Sequence, residues 1–158
     1  MGNLFAGSEI VELGIQIEKN GKDFYNTLLE QSNSGKAKEI YRLLAGEEEK
    51  HITAFQKILD KVIKYEPAEA YPGEYFAYMN ALAGDYVFTQ KDKGRQIAQK
   101  IKSDKEAVGI GIGFEKDSIL FYEGMKTAML ANEAKVIDEL IAQEKSHLRK
   151  LSDLKKEL

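Results

Sequence analysis

The chain of 158 residues contains no cysteine. This absence excludes disulfides, thiolate catalysis, zinc ribbons and any iron or iron–sulfur centre held by the chain's own thiolates. No apolar run approaches the roughly 20 residues of a membrane-spanning helix, and the segment MGNLFAGS lacks the basic and apolar regions of a secretion signal. The sequence therefore predicts a soluble, cytoplasmic protein that does not enter a membrane.

An excess of charge of one sign is also missing. The 23 Lys and Arg residues nearly balance the 26 Asp and Glu residues and leave a net charge of −3. Such a chain has no field that would attract a polyanion, so nucleic acid is not a predicted partner. Its length predicts a single domain, covering residues 1–158, that can fold around its own apolar core.

Proline is nearly absent, because Pro67 and Pro72 are its only occurrences and both lie in one short stretch. Elsewhere apolar residues recur every three or four positions, which predicts helices. Ser8 and Ser103 are the expected N-caps of the first and third helices, and Asn132 is the expected break before the fourth. The predicted helices cover residues 8–32, 36–65, 104–131 and 133–157.

A crossover of residues 66–103 separates the second predicted helix from the third. It is too long for a tight turn and too apolar for a disordered linker, so it should contain short helices. Its aromatic residues either cover the bundle of the same chain or form a homodimer surface. A long crossover also predicts that the second and third helices run parallel. Its tyrosines are Tyr71, Tyr75, Tyr78 and Tyr86.

The string GEEEKH, residues 46–51, places three glutamates before one of the two histidines in the chain. Glu48 and His51 interrupt the apolar stripe of the second helix, whereas Glu47 falls on a mostly polar row. Glu49 is turned about 100° away from Glu48. Glu48 is therefore the glutamate predicted to face the core.

The fourth helix repeats this pattern, with Glu144 and His147 in its apolar stripe, so both histidines belong to Glu-x-x-His pairs. The first and third helices each place one carboxylate on their stripes, Glu18 and Glu115. The strings EKNGKDFY and EKDSILFY that begin at these residues share Glu-Lys and Phe-Tyr at the same offsets. The chain is thus predicted to be a duplicated helical hairpin.

Four carboxylates buried together are prohibitively costly without positive charge, and no Lys or Arg lies on these stripes to supply it. Two divalent cations would balance the charge, and two neutral imidazoles would complete the donor set. Oxygen donors with two imidazoles suit iron or manganese, with zinc as a further candidate. This donor pattern is known from dimetal four-helix bundles. The predicted metal ligands are Glu18, Glu48, His51, Glu115, Glu144 and His147.

Tyr25 and Tyr122 lie two turns beyond Glu18 and Glu115 on the same stripes. Two interpretations are open for them. They either form hydrogen bonds to the ligands or quench radicals near the metals, or they are simply packed in the core. No residue of the sequence is identified as a catalytic acid, base or nucleophile.

These residues resemble the ferritin-like superfamily, and the rubrerythrin-type branch in particular. The resemblance rests on Glu18 with Phe24-Tyr25 and on the strings EEEKH, EKDSILFY and EKSH. It implies an all-α, ferritin-like four-helix bundle with a long crossover between the second and third helices. It further implies that Glu48 and Glu144 bridge two irons, that Glu18 and Glu115 are terminal ligands, and that each histidine binds one iron.

The chain departs from the rubrerythrin pattern in two ways. Rubrerythrins usually carry a further carboxylate on the third helix one turn after the position of Glu115, and this chain has Ser118 there. They also usually carry a rubredoxin-like domain with a four-cysteine iron site, which a chain without cysteine cannot form. The first departure argues against a redox-linked exchange of ligands, and the second requires a separate electron donor.

The resemblance implies a diiron oxidoreductase that reduces hydrogen peroxide or dioxygen, a role in resisting oxidative stress. Its partners would be a soluble, rubredoxin-like electron donor and a second copy of the chain in a homodimer. Two alternative functions are also compatible with the sequence. The same centre could oxidise Fe(II) for iron handling, or the chain could be a non-catalytic, metal-binding helical module.

Overall fold

The computed structural model describes residues 6–62 and 72–158, and over these ranges the chain is an all-α bundle. Four long helices form the core, and two shorter ones lie in the part of the crossover that the structure describes, as the sequence predicts. None of the described helices combines the length and the apolarity needed to cross a bilayer. The helices are α1 (Gly7–Gln31), α2 (Gly35–Lys61), α3 (Pro72–Asp85), α4 (Lys93–Gln99), α5 (Asp104–Met125) and α6 (Ala131–Lys156).

The long helices pack as two hairpins, α1 against α2 and α5 against α6. Gly14 faces Phe55, whereas Gly21, later in α1, faces Glu48, which comes before Phe55 in α2. This reversed order shows that α1 and α2 are antiparallel. The tyrosine–glutamate hydrogen bonds described below join α1 to α5 in the same reversed order. Consequently α2 and α5 run in the same direction, as predicted from the long crossover.

Serine side chains cap two of the long helices. Ser103 accepts a hydrogen bond from the backbone N–H of Glu106 at 3.1 Å, which confirms the predicted cap of α5. Ser34 caps α2 in the same way, with Ala37 as its donor. Each hydroxyl satisfies one backbone donor that the first turn of a helix leaves unpaired.

The prediction that Ser8 caps the first helix is wrong. The extended residue Ala6 precedes the helix, and its carbonyl oxygen accepts hydrogen bonds from the N–H groups of Glu9 and Ile10. The helix therefore begins at Gly7 without a side-chain cap, and Ser8 lies inside its first turn.

Other predicted helix ends also differ from the structure. The third helix was expected to continue to residue 131, but α5 ends at Met125 and a short 3-10 helix follows it. The next helix begins at Ala131, so Asn132 lies inside α6 and is not the break. Met129 lies in the turn between the two helices and is buried. The apolar pattern of the sequence therefore runs on through a segment that is not α-helical. On the second helix, α2 ends at Lys61, and the predicted end at residue 65 lies outside the described residues.

The aromatic residues of the crossover mainly cover the bundle of their own chain. Tyr75 donates a hydrogen bond to the Gly124 carbonyl of α5 at 2.8 Å, and its side chain is buried. Tyr86 and Phe88 are buried as well, whereas Tyr78 is 47% exposed. The intramolecular interpretation therefore holds for most of these side chains. Tyr71 lies outside the described residues.

Asn20 attaches the crossover to α1. Its side-chain amide donates hydrogen bonds to the carbonyls of Phe88, at 2.7 Å, and Gln90, at 2.5 Å, and its oxygen accepts one from the N–H of Gly94 at 3.0 Å. Here α4 approaches α1 so closely that a Cβ at Gly94 would overlap the Asn20 carbonyl oxygen. Only glycine allows this approach.

Candidate metal centre

The structure brings all six predicted ligands together inside the bundle. One glutamate comes from α1, one from α5, and one Glu-x-x-His pair from each of α2 and α6. Every one of these side chains belongs to a residue that is at most 4% exposed. The six residues are Glu18, Glu48, His51, Glu115, Glu144 and His147.

Their donor atoms form two overlapping groups. In each group of four residues, one ligand atom from every residue lies within 4.8 Å of the others. Both groups contain Glu48 and Glu144, one from α2 and one from α6. The groups are Glu18, Glu48, His51 and Glu144, and Glu48, Glu115, Glu144 and His147. Two adjacent cations could therefore each have three carboxylates and one imidazole, with two of the carboxylates shared.

Gln143, a residue outside this cluster, holds the imidazole of His51 in its orientation. Nε2 of His51 lies 2.6 Å from Oε1 of Gln143, and an amide oxygen can only accept a hydrogen bond. Nε2 therefore carries a proton, and once a metal ion has displaced the second proton of the ring, Nδ1 would present its lone pair to that ion. Nδ1 lies 2.7 Å from Glu144 Oε1 and 3.4 Å from Glu18 Oε2. This orientation is typical of metal-binding histidines.

His147 points its Nδ1 into the cluster in the same way. This atom lies 3.0 Å from Glu48 Oε1 and 3.6 Å from Glu115 Oε1. The two imidazole rings stack, with centroids 5.6 Å apart and planes 11° apart. Nδ1 of His147 also lies 3.7 Å from Glu144 Oε2. Each ring therefore faces one carboxylate that belongs to a single group and at least one shared carboxylate.

Two tyrosines connect the hairpins at the centre. The Tyr25 hydroxyl on α1 donates to Glu115 Oε1 on α5 at 2.7 Å, and the Tyr122 hydroxyl on α5 donates to Glu18 Oε1 on α1 at 2.6 Å. All four side chains are buried. Of the two interpretations of these tyrosines, the structure favours hydrogen bonding to the predicted ligands. Each phenol orients one carboxylate and leaves its second oxygen for another contact.

The atoms that face the cluster have mainly one another as neighbours: Nδ1 of His51 and of His147 approach carboxylate oxygens at 2.7 Å and 3.0 Å, yet no well-aligned hydrogen bond forms between them. Within the described residues, at least one donor or acceptor atom of every predicted ligand is buried without a hydrogen-bond partner. They include Oε2 of Glu18 and of Glu115, the oxygens that the tyrosines leave free, and Nδ1 of both imidazoles. Unpaired buried polar atoms are costly and rare in folded proteins. Because these atoms converge, cations among them would satisfy them together, and the donor set fits two divalent metals.

The pKa values of the buried glutamates and histidines show that carboxylates are unfavourable in this cluster unless positive charge lies beside them. Burial, and next the charge of Glu144, raise the pKa of the Glu48 and Glu115 carboxyls well above the usual value. Burial alone would lower the pKa of the imidazoles, but the facing carboxylates outweigh it and raise the pKa of His51 to about 12 and of His147 to about 10. Without metal, the cluster retains protons, which metal ions must displace.

Sequence reasoning missed two residues beside the site. Gln143 is exposed in α6 and lies outside the apolar stripe, so no periodic signal identifies it. Tyr86 comes from the crossover, and its contact with α5 depends on how that segment folds back. Glu47 was assigned to a polar row, yet the structure half-buries it within 4.8 Å of ring nitrogens of both histidines.

The fold and the donor arrangement define a ferritin-like bundle of the carboxylate-bridged dimetal type. Comparison with known proteins gives the family. The sequence model of the rubrerythrin family matches residues 9–155, and the chain therefore belongs to the rubrerythrin family.

A solved structure resembles the whole chain. It is a crystal structure from Thermotoga maritima, described as a candidate ferritin-like diiron-carboxylate protein. The two share 29% sequence identity with a TM-score of 0.71, and the match covers 99% of each chain. No curated protein sequence matches the chain.

Proposed function

We propose that the six clustered residues bind two metal ions, iron in the functional protein, and that the chain is a rubrerythrin-like oxidoreductase. The observation that carries this proposal is the pair of overlapping donor groups with Glu48 and Glu144 in common. Membership in the rubrerythrin family supports iron over manganese or zinc. The proposed reaction is the reduction of hydrogen peroxide or dioxygen.

Two adjacent irons would supply a store for two electrons, one at each ion. Around them, Glu48 and Glu144 would hold the ions at a fixed separation, and Tyr25 and Tyr122 would fix the terminal carboxylates. The buried surroundings exclude bulk water from the cluster. They also strengthen every charge interaction inside it, because the local dielectric constant is low.

The overall reaction of peroxide requires electrons and protons from elsewhere. One hydrogen peroxide takes up two electrons and two protons, its O–O bond breaks, and two waters form. We propose a separate soluble protein as the electron donor, since the chain has no cysteine to hold a second iron centre. A homodimer and a cytoplasmic location belong to the same proposal.

Anaerobic loading with Fe(II) followed by peroxide tests the function. The parent protein should bind two irons per chain, and its optical spectrum should change on oxidation and return with added reductant. We expect His51→Ala to lower iron content and peroxide turnover together. Glu49→Gln, at an exposed position of the same helix, is the matched control. Full turnover by a His51→Ala protein with complete iron would overturn the proposal.

Light scattering of the purified protein separates peroxide reduction from iron storage. Storage requires a hollow assembly of many chains, whereas peroxide reduction does not. A dimer that turns over peroxide supports the oxidoreductase. A large hollow particle that accumulates ferric iron would instead support the iron-handling function.

A further inference from the structure

A small cavity lies against one side of the carboxylate cluster. Its volume is about 10 Å³, about the space that one water-sized molecule needs. Three predicted ligands line it, together with three hydroxyl-bearing residues, and the histidines are not among the described residues at its wall. The ligands are Glu48, Glu115 and Glu144, and the hydroxyls are those of Tyr86 and Ser118, besides that of Tyr25.

The crossover supplies one wall of this cavity. Tyr86 follows α3 and reaches across to α5, where its hydroxyl lies 2.7 Å from Ser118 Oγ and donates to the Phe114 carbonyl at 3.0 Å. Tyr86 and Ser118 are both buried, at 4% and 5% exposure. The ring of Tyr86 stacks on Phe88, with planes 22° apart. Packing and hydrogen bonding thus hold this phenol at the cavity wall.

Within the described part of the chain, the hydroxyl groups of Tyr86 and Ser118, unlike those of Tyr25 and Tyr122, form no hydrogen bond to a predicted ligand. Tyr25 and Tyr122 donate to Glu115 and Glu18, so their protons are used to orient predicted ligands. In the Tyr86–Ser118 pair, Tyr86 donates to the Phe114 carbonyl and Ser118 then donates to the Tyr86 oxygen, so neither proton is committed to a predicted ligand. Rotation of one hydroxyl would present a proton to a molecule in the cavity.

The chemistry of Tyr86 suits a donor. Burial is the main cause that raises its pKa well above the usual value of 10, and the hydrogen bond with Ser118 acts in the opposite direction. The charges of Glu115 and Glu144 raise the pKa further. The phenol therefore keeps its proton at neutral pH beside a cluster of carboxylates.

We propose that Tyr86 and Ser118 form the hydrogen-bonding side of the oxidant site, and that they donate to the outer oxygen of a peroxide or dioxygen molecule bound beside Glu115. This inference rests on the proposed function and adds a position for the substrate. Ser118 occupies the place where rubrerythrins usually carry a further carboxylate, so here a neutral hydroxyl pair replaces a charged ligand. The two residues position the substrate and are not metal ligands.

Azide binding to the protein loaded with Fe(III) tests the site without turnover. Azide is a small linear anion that coordinates ferric iron and gives an optical charge-transfer band, so its Kd can be measured by titration. Tyr86→Phe removes the hydroxyl and retains the ring. We expect the Kd for azide to rise about tenfold to a hundredfold, the effect of one lost hydrogen bond to a charged acceptor. Ser118→Ala should raise it in the same direction.

Tyr75→Phe is the matched control. Tyr75 is also a buried crossover tyrosine bonded to a carbonyl of α5, but it does not line the cavity. Loss of the Tyr75 hydroxyl should leave the Kd for azide unchanged. An equal rise in Tyr75→Phe would show a general effect of the crossover on the bundle and would overturn the inference.

The two proposals fail in different ways. If the parent binds two irons and azide, but Tyr86→Phe and Ser118→Ala bind azide with the parent affinity, the oxidant site is wrong and the function stands. If the parent binds no iron, the proposed function is wrong and the oxidant site with it. Should Tyr86→Phe fail to load iron, the Ser118→Ala titration decides, because that change keeps the hydrogen bond by which Tyr86 attaches the crossover to the Phe114 carbonyl of α5.

Discussion

The two hairpins, α1 with α2 and α5 with α6, are near copies at the centre and differ around it. Each supplies one lone glutamate, one Glu-x-x-His pair and one tyrosine. Each tyrosine donates to the glutamate of the other hairpin, at 2.7 Å and 2.6 Å. The shared part of the site therefore depends on both copies, and the interactions that complete it cross from one half to the other.

Around the centre, equivalent positions of the hairpins carry different residues. One turn after the lone glutamate, α1 has Gly21 and α5 has Ser118. A Cβ at Gly21 would lie 3.0 Å from Glu48 Oε2, so glycine leaves room for that ligand, whereas Ser118 bonds with Tyr86. The crossover attaches to α1 through Asn20, and the equivalent Asp117 of α5 is exposed. The central residues are thus duplicated, while the surrounding residues have diverged.

The largest expected effect comes from removing a ligand that both donor groups share. We expect Glu144→Ala to lose most of both irons, whereas Glu18→Ala, a ligand of one group, should retain about one of two. Iron per chain measured by elemental analysis distinguishes the two variants. The exposed Glu139→Ala on α6 serves as the control. Equal losses from Glu144→Ala and Glu18→Ala would contradict the sharing of Glu144.

Metal removal should change how stability depends on pH. The folded pKa values of His51 and His147, about 12 and about 10, lie above the usual 6.5. The contribution of these two histidines to the free energy of unfolding is complete below pH 6.5 and is lost as the pH rises toward the folded pKa values. The two imidazoles together should therefore cost the metal-free protein on the order of 6 kcal/mol between pH 6.5 and 9, and the raised pKa values of Glu48 and Glu115 act with the same sign.

Urea unfolding at pH 6.5 and pH 9 measures this change. Iron-loaded protein should show the opposite trend, because metal ions compete better for the donors when fewer protons are present. The lowered pKa of Glu144 adds no slope in this window, since it titrates at lower pH. A metal-free protein that is equally stable at both pH values would disprove the protonated cluster.

Asn20 of α1 and Asp117 of α5 occupy equivalent positions and provide a direct comparison of the two hairpins. Asn20→Ala removes three hydrogen bonds to the crossover and leaves buried partners unpaired, so it should lower the free energy of unfolding by about 2–3 kcal/mol. Asp117→Ala changes an exposed residue and should alter it by less than about 0.5 kcal/mol. Urea unfolding of both variants measures the difference. Similar values would show that the crossover does not depend on this attachment.

The smallest effects are expected from the duplicated tyrosines. Tyr25→Phe and Tyr122→Phe each remove one phenol–carboxylate hydrogen bond, at nearly equal distances. Each should weaken iron binding about tenfold, and the two effects should be similar. Competition with a chelator measures both affinities. A large difference between the two variants would show that the hairpins have diverged at the centre as well.

The centre of the molecule could be predicted from the sequence because its residues obey the helical period. Glu48 and His51 interrupt an apolar stripe that the structure buries, and an ion cluster is among the few ways to stabilise such an interruption. The end of α5 could not be predicted, because Met129 continues the apolar pattern into a turn. The place of Tyr86 beside the site could not be predicted either. Its contact with Ser118 depends on how the crossover folds back, and no short-range sequence pattern determines that.

The crossed phenol–carboxylate bonds also bear on how such a chain could arise. A single hairpin has one lone glutamate and one Glu-x-x-His pair, so alone it would offer three donors of one group and one donor of the other. Two identical hairpins related by a twofold axis would present the same six donors and the same pair of crossed bonds. A half-length ancestor could therefore have assembled around its ions as a dimer, and gene fusion would then have freed the flanking positions to specialise.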